Sequence, residues 1–259
     1  MFKWLFQKNT SLDEQNDTYA QEDFSNIQIL ADYFKMLSGV TFDKQLSILN
    51  SKAKTFCKNY GISSYEMLLQ KIQTDTNLRQ ELTNRLTTNE TFFYREFSQI
   101  SQLVSDVKQE RQKVRILCAP CATGEESYSI AMALLEAGVQ RSAFEIVGID
   151  INSYAIERAK EALYRERNLK NLSDELRERY FSKNEEMYAL HQNIKNLVEF
   201  HICNIFEAEF QKLGKFDYIF SRNMLIYFDA PTKKKAIKIL ESMRKDQSKA
   251  IFFGHADLF

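Results

Sequence analysis

Beyond Arg111 the chain falls into five short apolar runs, Val114 to Cys118, Glu145 to Ile149, Val198 to Ile202, Tyr218 to Ser221 and Ala250 to Gly254, separated by stretches with helical spacing. Strands that alternate with helices build a mostly parallel sheet with helices on both faces. Ligands of such sheets bind at the carboxyl ends of the strands, so the residues just after each run are where chemistry is expected. Upstream, Phe24 to Leu86 is helical in pattern, with apolar residues at Ile27, Leu30, Tyr33, Phe34 and Leu37 and then at Leu46, Leu49, Ala53 and Phe56. Gly39 and Gly61 fall at expected helix ends, and Ser63-Ser64-Tyr65-Glu66 carries a helix-start signal, so at least three helices are predicted there. Asn9 to Gln21 is rich in Asn, Gln, Ser, Asp and Glu, and residues 1–23 read as a flexible leader.

Composition excludes several classes. Lys+Arg and Asp+Glu both number 35, and this balance argues against electrostatic binding of nucleic acid. The apolar start Met1 to Phe6 is much shorter than a signal-peptide core or a membrane span, so no membrane insertion is expected. Four cysteines do not make a disulfide framework, and the expected location is a reduced cytoplasm. Cys118 and Cys121 have the spacing of half a metal site, but no second pair follows and the three histidines lack ligand spacing, so no metal is predicted.

After the first run comes Ala119-Pro120-Cys121-Ala122-Thr123-Gly124, then a helix beginning Glu125-Glu126. A single glycine lets the backbone approach a ligand, yet two glutamates at the helix start would repel a pyrophosphate, so a cationic or neutral ligand is expected. The same glutamates also suit plain helix capping. Asp150 ends the second run, where an acid binds ribose hydroxyls, although it too could cap the next helix. Asn204 and Ile205 follow the third run and could flank an adenine. A glycine turn, a ribose acid and adenine neighbours without a phosphate site describe S-adenosylmethionine better than NAD or ATP.

The motifs Asn89-x-Thr91-x-x-x-Arg95, Thr123-Gly124-Glu125-Glu126-x-Tyr128-Ser129, Ile149-Asp150, Arg222-Asn223-x-x-Ile226-Tyr227-Phe228 and Gly254-His255-Ala256-Asp257 occur in one order. In this the chain closely resembles the CheR family of chemoreceptor glutamate methyltransferases, from about Phe24 to the last residue. The resemblance implies an α/β enzyme. An N-terminal all-helical, receptor-docking domain (24–86) precedes a class I, Rossmann-like S-adenosylmethionine-dependent methyltransferase domain (87–259) with a small antiparallel β insertion at about 180–200. It implies methyl transfer from S-adenosylmethionine, leaving S-adenosylhomocysteine, to glutamates on the cytoplasmic helices of chemoreceptors. By motif matching, Asn89, Thr91, Arg95, Glu126, Asp150, Asn204, Ile205, Arg222 and Asn223 line the cofactor, with Gly124 in the turn and Glu125 nearly equal to Glu126. Arg95 and Tyr227 stand beside the reacting centre. Where the family usually has a second glycine or a serine in the turn, this chain has Ala119-Pro120-Cys121-Ala122. Its close is Gly254-His255-Ala256-Asp257 in place of Gly-x-Ser-Glu, a change expected to touch only a sheet edge.

Lys44, Lys52, Lys54 and Lys58 fall in the second helical stretch and offer a strip for acidic receptor helices, or else a solvated lysine face. Some family members bind a pentapeptide at the receptor tail through a glycine-bearing loop of the insertion. Tyr180 to Phe200 contains no glycine, which predicts tail-independent recognition. The competing readings are a nucleic-acid methyltransferase, disfavoured by Arg222-Asn223 where a Pro-Pro-aromatic motif would stand, and a non-catalytic S-adenosylmethionine-binding adaptor of a chemosensory complex, disfavoured by the presence of Arg95 and Tyr227. A monomer is expected.

Overall fold

A computed structural model describes residues 22–257. The expected leader lies almost wholly outside them; where the description begins, the Asp23 N–H donates to the Ser63 carbonyl at 2.9 Å. Four helices follow, α1 (Gln28–Ser38), α2 (Leu46–Asn59), α3 (Tyr65–Thr74) and α4 (Thr76–Leu86). Gly39 ends α1 in a left-handed conformation at φ 77°, and the Ser64 hydroxyl caps α3 by accepting from Met67 N–H. The apolar stripes of these helices close on a core of their own, which includes Leu30, Phe34, Leu49, Phe56, Tyr65 and Leu68. A fifth helix, α5 (Phe97–Val107), unforeseen in the sequence, leads into the sheet.

The remaining elements run β1 (Val114–Cys118), α6 (Glu125–Glu136), β2 (Phe144–Asp150), α7 (Ser153–Glu161), β3 (Leu163–Arg165), α8 (Asp174–Tyr180), β4 (Phe181–Asn184), β5 (Met187–Leu190), α9 (Gln192–Lys195), β6 (Val198–Ile202), α10 (Ala208–Lys212), β7 (Tyr218–Ser221), α11 (Ala230–Ser242) and β8 (Ile251–Phe253). Five strands pair in parallel in the order β6-β2-β1-β7-β8. Alternation along β1 divides the core: Ile116 and Cys118 pack on the face covered by α5 and α6, while Leu117 packs on the face covered by α10 and α11. The order reverses between β1 and β7, so the crevice that the topology offers a ligand opens at the ends of β1, β2 and β7.

The antiparallel insertion is a three-stranded sheet, β3-β5-β4, and it corrects the expected bounds. It begins at Leu163, because β3 pairs with β5, and it ends at Leu190, because residues from Val198 onward belong to the parallel sheet. β4 and β5 are joined by the two-residue turn Glu185-Glu186.

A polar seam joins the helical layer to the sheet. Asn84 accepts from Ser153 N–H at 2.9 Å and donates to the Ser153 hydroxyl at 2.9 Å, while Asn152 Nδ2 donates to Thr87 Oγ1 at 2.7 Å. At the other end Lys35 pairs with Asp229 at 2.7 Å, and Thr41 N–H donates to the Tyr227 carbonyl at 2.8 Å. Gly39 is required by contact as well as by φ: a Cβ there would lie 2.6 Å from the Phe206 ring and 2.8 Å from the Thr232 methyl. No helix among the described residues is long and apolar enough to cross a membrane.

Candidate active site

Between the two ends of this seam lies a cavity of about 590 Å³, roofed by α1, the α1–α2 connection and α2 and floored by the carboxyl ends of β1, β2, β6 and β7. Asn89, Thr91, Arg95, Glu126, Asp150, Asn204, Ile205, Arg222, Asn223 and Tyr227 all line it. Residues separated by more than 130 positions thus meet because the strand ends and the 87–96 connection converge there.

Asp150 ends β2 with its carboxylate buried, one oxygen accepting from Ala122 N–H and the other from Asn152 N–H, each at 2.9 Å. Burial pushes its pKa up to about 6, against the pull of those hydrogen bonds. Across the floor, Arg222 is only 5% exposed and holds Glu126 at 2.9 Å and the Arg95 carbonyl at 2.6 Å. Glu96 approaches the same guanidinium at 3.7 Å. Burial raises the Glu126 pKa, and Arg222 opposes the rise. Several buried polar atoms of this cluster have no hydrogen-bond partner, among them Glu126 Oε1, Arg222 Nε and Glu96 Oε2. Such atoms are costly unless a ligand satisfies them.

Arg95 differs from Arg222 in having donors to spare. Its guanidinium is about a third exposed, makes one hydrogen bond to the Glu90 carbonyl at 3.3 Å and stands 4.0 Å from Glu96. Tyr227 is half-buried, and desolvation raises its phenol pKa while nearby Arg95 lowers it. Non-glycine residues at positive φ gather here: Tyr94 (54°) and Glu96 (48°) flank Arg95, and Ala122 (47°) and Asn223 (59°) line the cavity. Backbone of this kind persists only where the surrounding structure holds it.

The structure separates residues that the sequence left together. Glu125 does not line the cavity. It is fully buried behind the turn, accepting from the Thr123 hydroxyl at 2.6 Å and from Asn168 Nδ2 at 2.8 Å, so Glu126 is the glutamate that faces inward. Gly124 is also outside the lining. At φ 91° it packs the turn between Ala159, Phe200 and Tyr128, each about 3 Å from where a Cβ would stand. Asn204 lines the cavity, but its amide is already engaged, donating to the Leu37 carbonyl at 2.7 Å and accepting from Phe206 N–H at 3.0 Å.

The lysine strip is corrected too. Lys44 precedes α2 in a turn, and Lys52 faces the cavity beside Gln45 and Ile48, donating weakly to the Leu86 carbonyl at 3.4 Å. Lys54 and Lys58 lie roughly 200–240° round the helix from Lys52 and so face away from the cavity. Lys54 instead reaches the Phe24 ring at 5.4 Å.

Two groups escaped the sequence reading. Glu96 belongs to the motif that carries Arg95 but gave no sign of its contact with Arg222. Asp257, expected at a sheet edge, is buried and braces the active loop, accepting from the N–H groups of Asn223 (2.5 Å), Gly254 (3.0 Å) and Ile226 (3.2 Å). The closing motif therefore holds Arg222, Asn223 and Tyr227 in place.

Comparison with known proteins gives a consistent picture. Residues 89–259 match the family described as CheR methyltransferase, SAM binding domain. The chain is 35% identical over 223 residues to a chemotaxis protein methyltransferase of Campylobacter jejuni (strain 81-176), covering 86% of this chain and 84% of that protein. It is 31% identical over 240 residues to chemotaxis protein methyltransferase 2 of Vibrio cholerae, covering 87% and 83%. With the chemotaxis protein methyltransferase of Salmonella typhimurium the identity is 32% over 206 residues, covering 77% and 71%.

Proposed function

The chain belongs to the CheR methyltransferase family and is an S-adenosylmethionine-dependent methyltransferase; from that premise we propose that it esterifies glutamate side chains on the cytoplasmic helices of chemoreceptors. The observation that carries this reading is Arg95, a half-buried guanidinium in the cavity wall that spends one hydrogen bond on the protein and keeps its other donors for an anion.

The residues present suit the cofactor. Asp150 offers carboxylate oxygens to ribose hydroxyls. The unpartnered Glu126 Oε1 and Arg222 Nε suit the ammonium and carboxylate of its amino-acid end, and Ile205 offers an apolar surface to the base. When bound, S-adenosylmethionine supplies a methyl group made electrophilic by its sulfonium.

The protein's own part is alignment and exclusion of water. A glutamate carboxylate has a reference pKa of about 4.3, so it arrives ionised and no residue has to take a proton. Arg95 fixes one carboxylate oxygen and leaves the other free to react, a contribution of orientation. Tyr227, with Met224 and Phe228 of the same loop, walls the cavity with apolar surface and removes water from the reacting carboxylate.

Receptor recognition is proposed to be independent of a tail pentapeptide. The tight Glu185-Glu186 turn between β4 and β5, with no glycine from Tyr180 to Phe200, supports that reading. Docking through the helical layer is best supported near Ile48 and Lys52, which line the cavity, and Lys54 and Lys58 face elsewhere. The test is to incubate the protein with S-adenosylmethionine and a receptor cytoplasmic fragment and to locate the added methyl by peptide mass spectrometry. Methylated glutamates are expected. Methylation confined to lysine, arginine or histidine nitrogens would overturn the proposal.

A further inference from the structure

Outside the cavity mouth, one cation stands in a fixed relation to Arg95 without serving the cofactor site. Lys170, in the segment after β3, is exposed, and its ammonium lies 3.9 Å from the centroid of the Phe92 ring. The Arg95 guanidinium carbon is 5.6 Å from that same centroid. Phe92 and Arg95 both line the cavity, so Lys170 stands at its rim. The nearby carboxylates Glu166 and Asp174 approach Arg177 at 3.8 and 3.6 Å, and Lys170 has no ion-pair partner among the described residues.

The position is built. Phe93 N–H donates to the Asn168 carbonyl at 2.9 Å, Asn171 Nδ2 to the Tyr94 carbonyl at 3.3 Å and Asn168 Nδ2 to the Thr91 carbonyl at 3.4 Å. These bonds clamp 168–171 against 91–94 from both sides of the pair, so the lysine is held against Phe92. A cation over an aromatic face is oriented at little entropic cost and still presents its outer donors to solvent. The separation between the two cations cannot exceed the two ring distances laid end to end. That upper bound admits carboxylates one turn apart on a helix, roughly 5–6 Å, and the nearer part of the range up to about 11 Å for two turns.

Resting on the carboxylate-methylating reading above, we propose that Lys170, seated on Phe92, reads a second carboxylate of the substrate, so that the protein selects helical segments whose target glutamate has another acidic residue one or two turns away. The occupant of this surface is an acidic helix, matched by charge and spacing; the ring contributes an apolar shelf between the two carboxylates.

The test compares a receptor cytoplasmic fragment that the wild type methylates in two forms, with Glu or Gln at the position one or two turns from the methylated residue. The wild type is expected to favour the acidic form about twofold to fivefold in kcat/KM, the range of an exposed ion pair, mainly through KM. Lys170→Gln should abolish that preference and Lys170→Glu should invert it. A preference kept in full by Lys170→Gln, or no preference in the wild type, would overturn this inference while leaving glutamate methylation intact. Failure to methylate a carboxylate in either form would overturn the functional reading and this inference with it.

Discussion

Lowering the pH from 7 to 5 should weaken cofactor binding about tenfold, through Asp150. Its carboxylate ends β2 in a buried position and is raised by desolvation from an ordinary 3.8 to about 6. Ribose hydroxyls donate to the ionised form, so the competent fraction falls from about nine-tenths at pH 7 to about one-tenth at pH 5. The sign for folding is opposite. Because the folded pKa lies above the unfolded one, the folded state holds the proton more tightly between about pH 4 and 6. This group's contribution to stability is therefore fullest below that window and is lost as pH rises through 6, by about 3 kcal/mol. Cofactor binding should accordingly release about half a proton at pH 6. Calorimetric titration with S-adenosylhomocysteine from pH 5 to 8, in buffers of different ionisation enthalpy, measures both effects. Asp150→Asn should bind weakly and lose the step, apart from any share carried by Glu126, whose pKa burial also raises. A flat wild-type profile, or a step of unchanged size in Asp150→Asn, would refute the reasoning.

Three further outcomes are expected. Arg95→Ala should lower turnover on receptor glutamates by about a hundredfold or more with the circular dichroism spectrum retained, since it removes the group that orients the carboxylate; near-wild-type single-turnover rates would count against it. Asp257→Ala leaves three backbone N–H groups without their acceptor and should cost about 2–4 kcal/mol in urea unfolding, together with lost cofactor affinity from the loosened Arg222–Tyr227 loop. Gly39→Ala places a Cβ 2.6 Å from the Phe206 ring at φ 77° and should destabilise by more than about 1 kcal/mol, visible as a lower thermal midpoint.

What the sequence disclosed, and what it did not, follows from how local each signal is. The runs Val114–Cys118, Val198–Ile202 and Tyr218–Ser221 became strands with those same ends: β1 and β7 lie inside the sheet and are almost wholly buried, while β6, at its edge, buries only Phe200 and is legible through the apolar–polar alternation of Val198 to Ile202. β3 was missed: Leu163–Arg165 is three residues long with only its middle side chain buried, too little for an alternation to register. The strand-end rule led to Asp150 and to the pair Glu125 and Glu126, and the family resemblance to Arg222, but the pairing of Arg222 with Glu126 and Glu96 crosses about a hundred positions and left no local trace. Glu125 and Glu126 look alike at a helix start, and only the 100° step between neighbours sends one to the cavity and the other behind the turn. Asp257 was undervalued because its partners are backbone N–H groups, which no sequence pattern records.

The central claim is transfer of a methyl group to a carboxylate. It is met most directly by labelling a chemoreceptor cytoplasmic fragment with methyl-labelled S-adenosylmethionine, treating the product with mild alkali and counting volatile label. Release as methanol is the predicted result, since a methyl ester hydrolyses under those conditions. Label that stays on the protein would mark a nitrogen-methylated product and contradict the account.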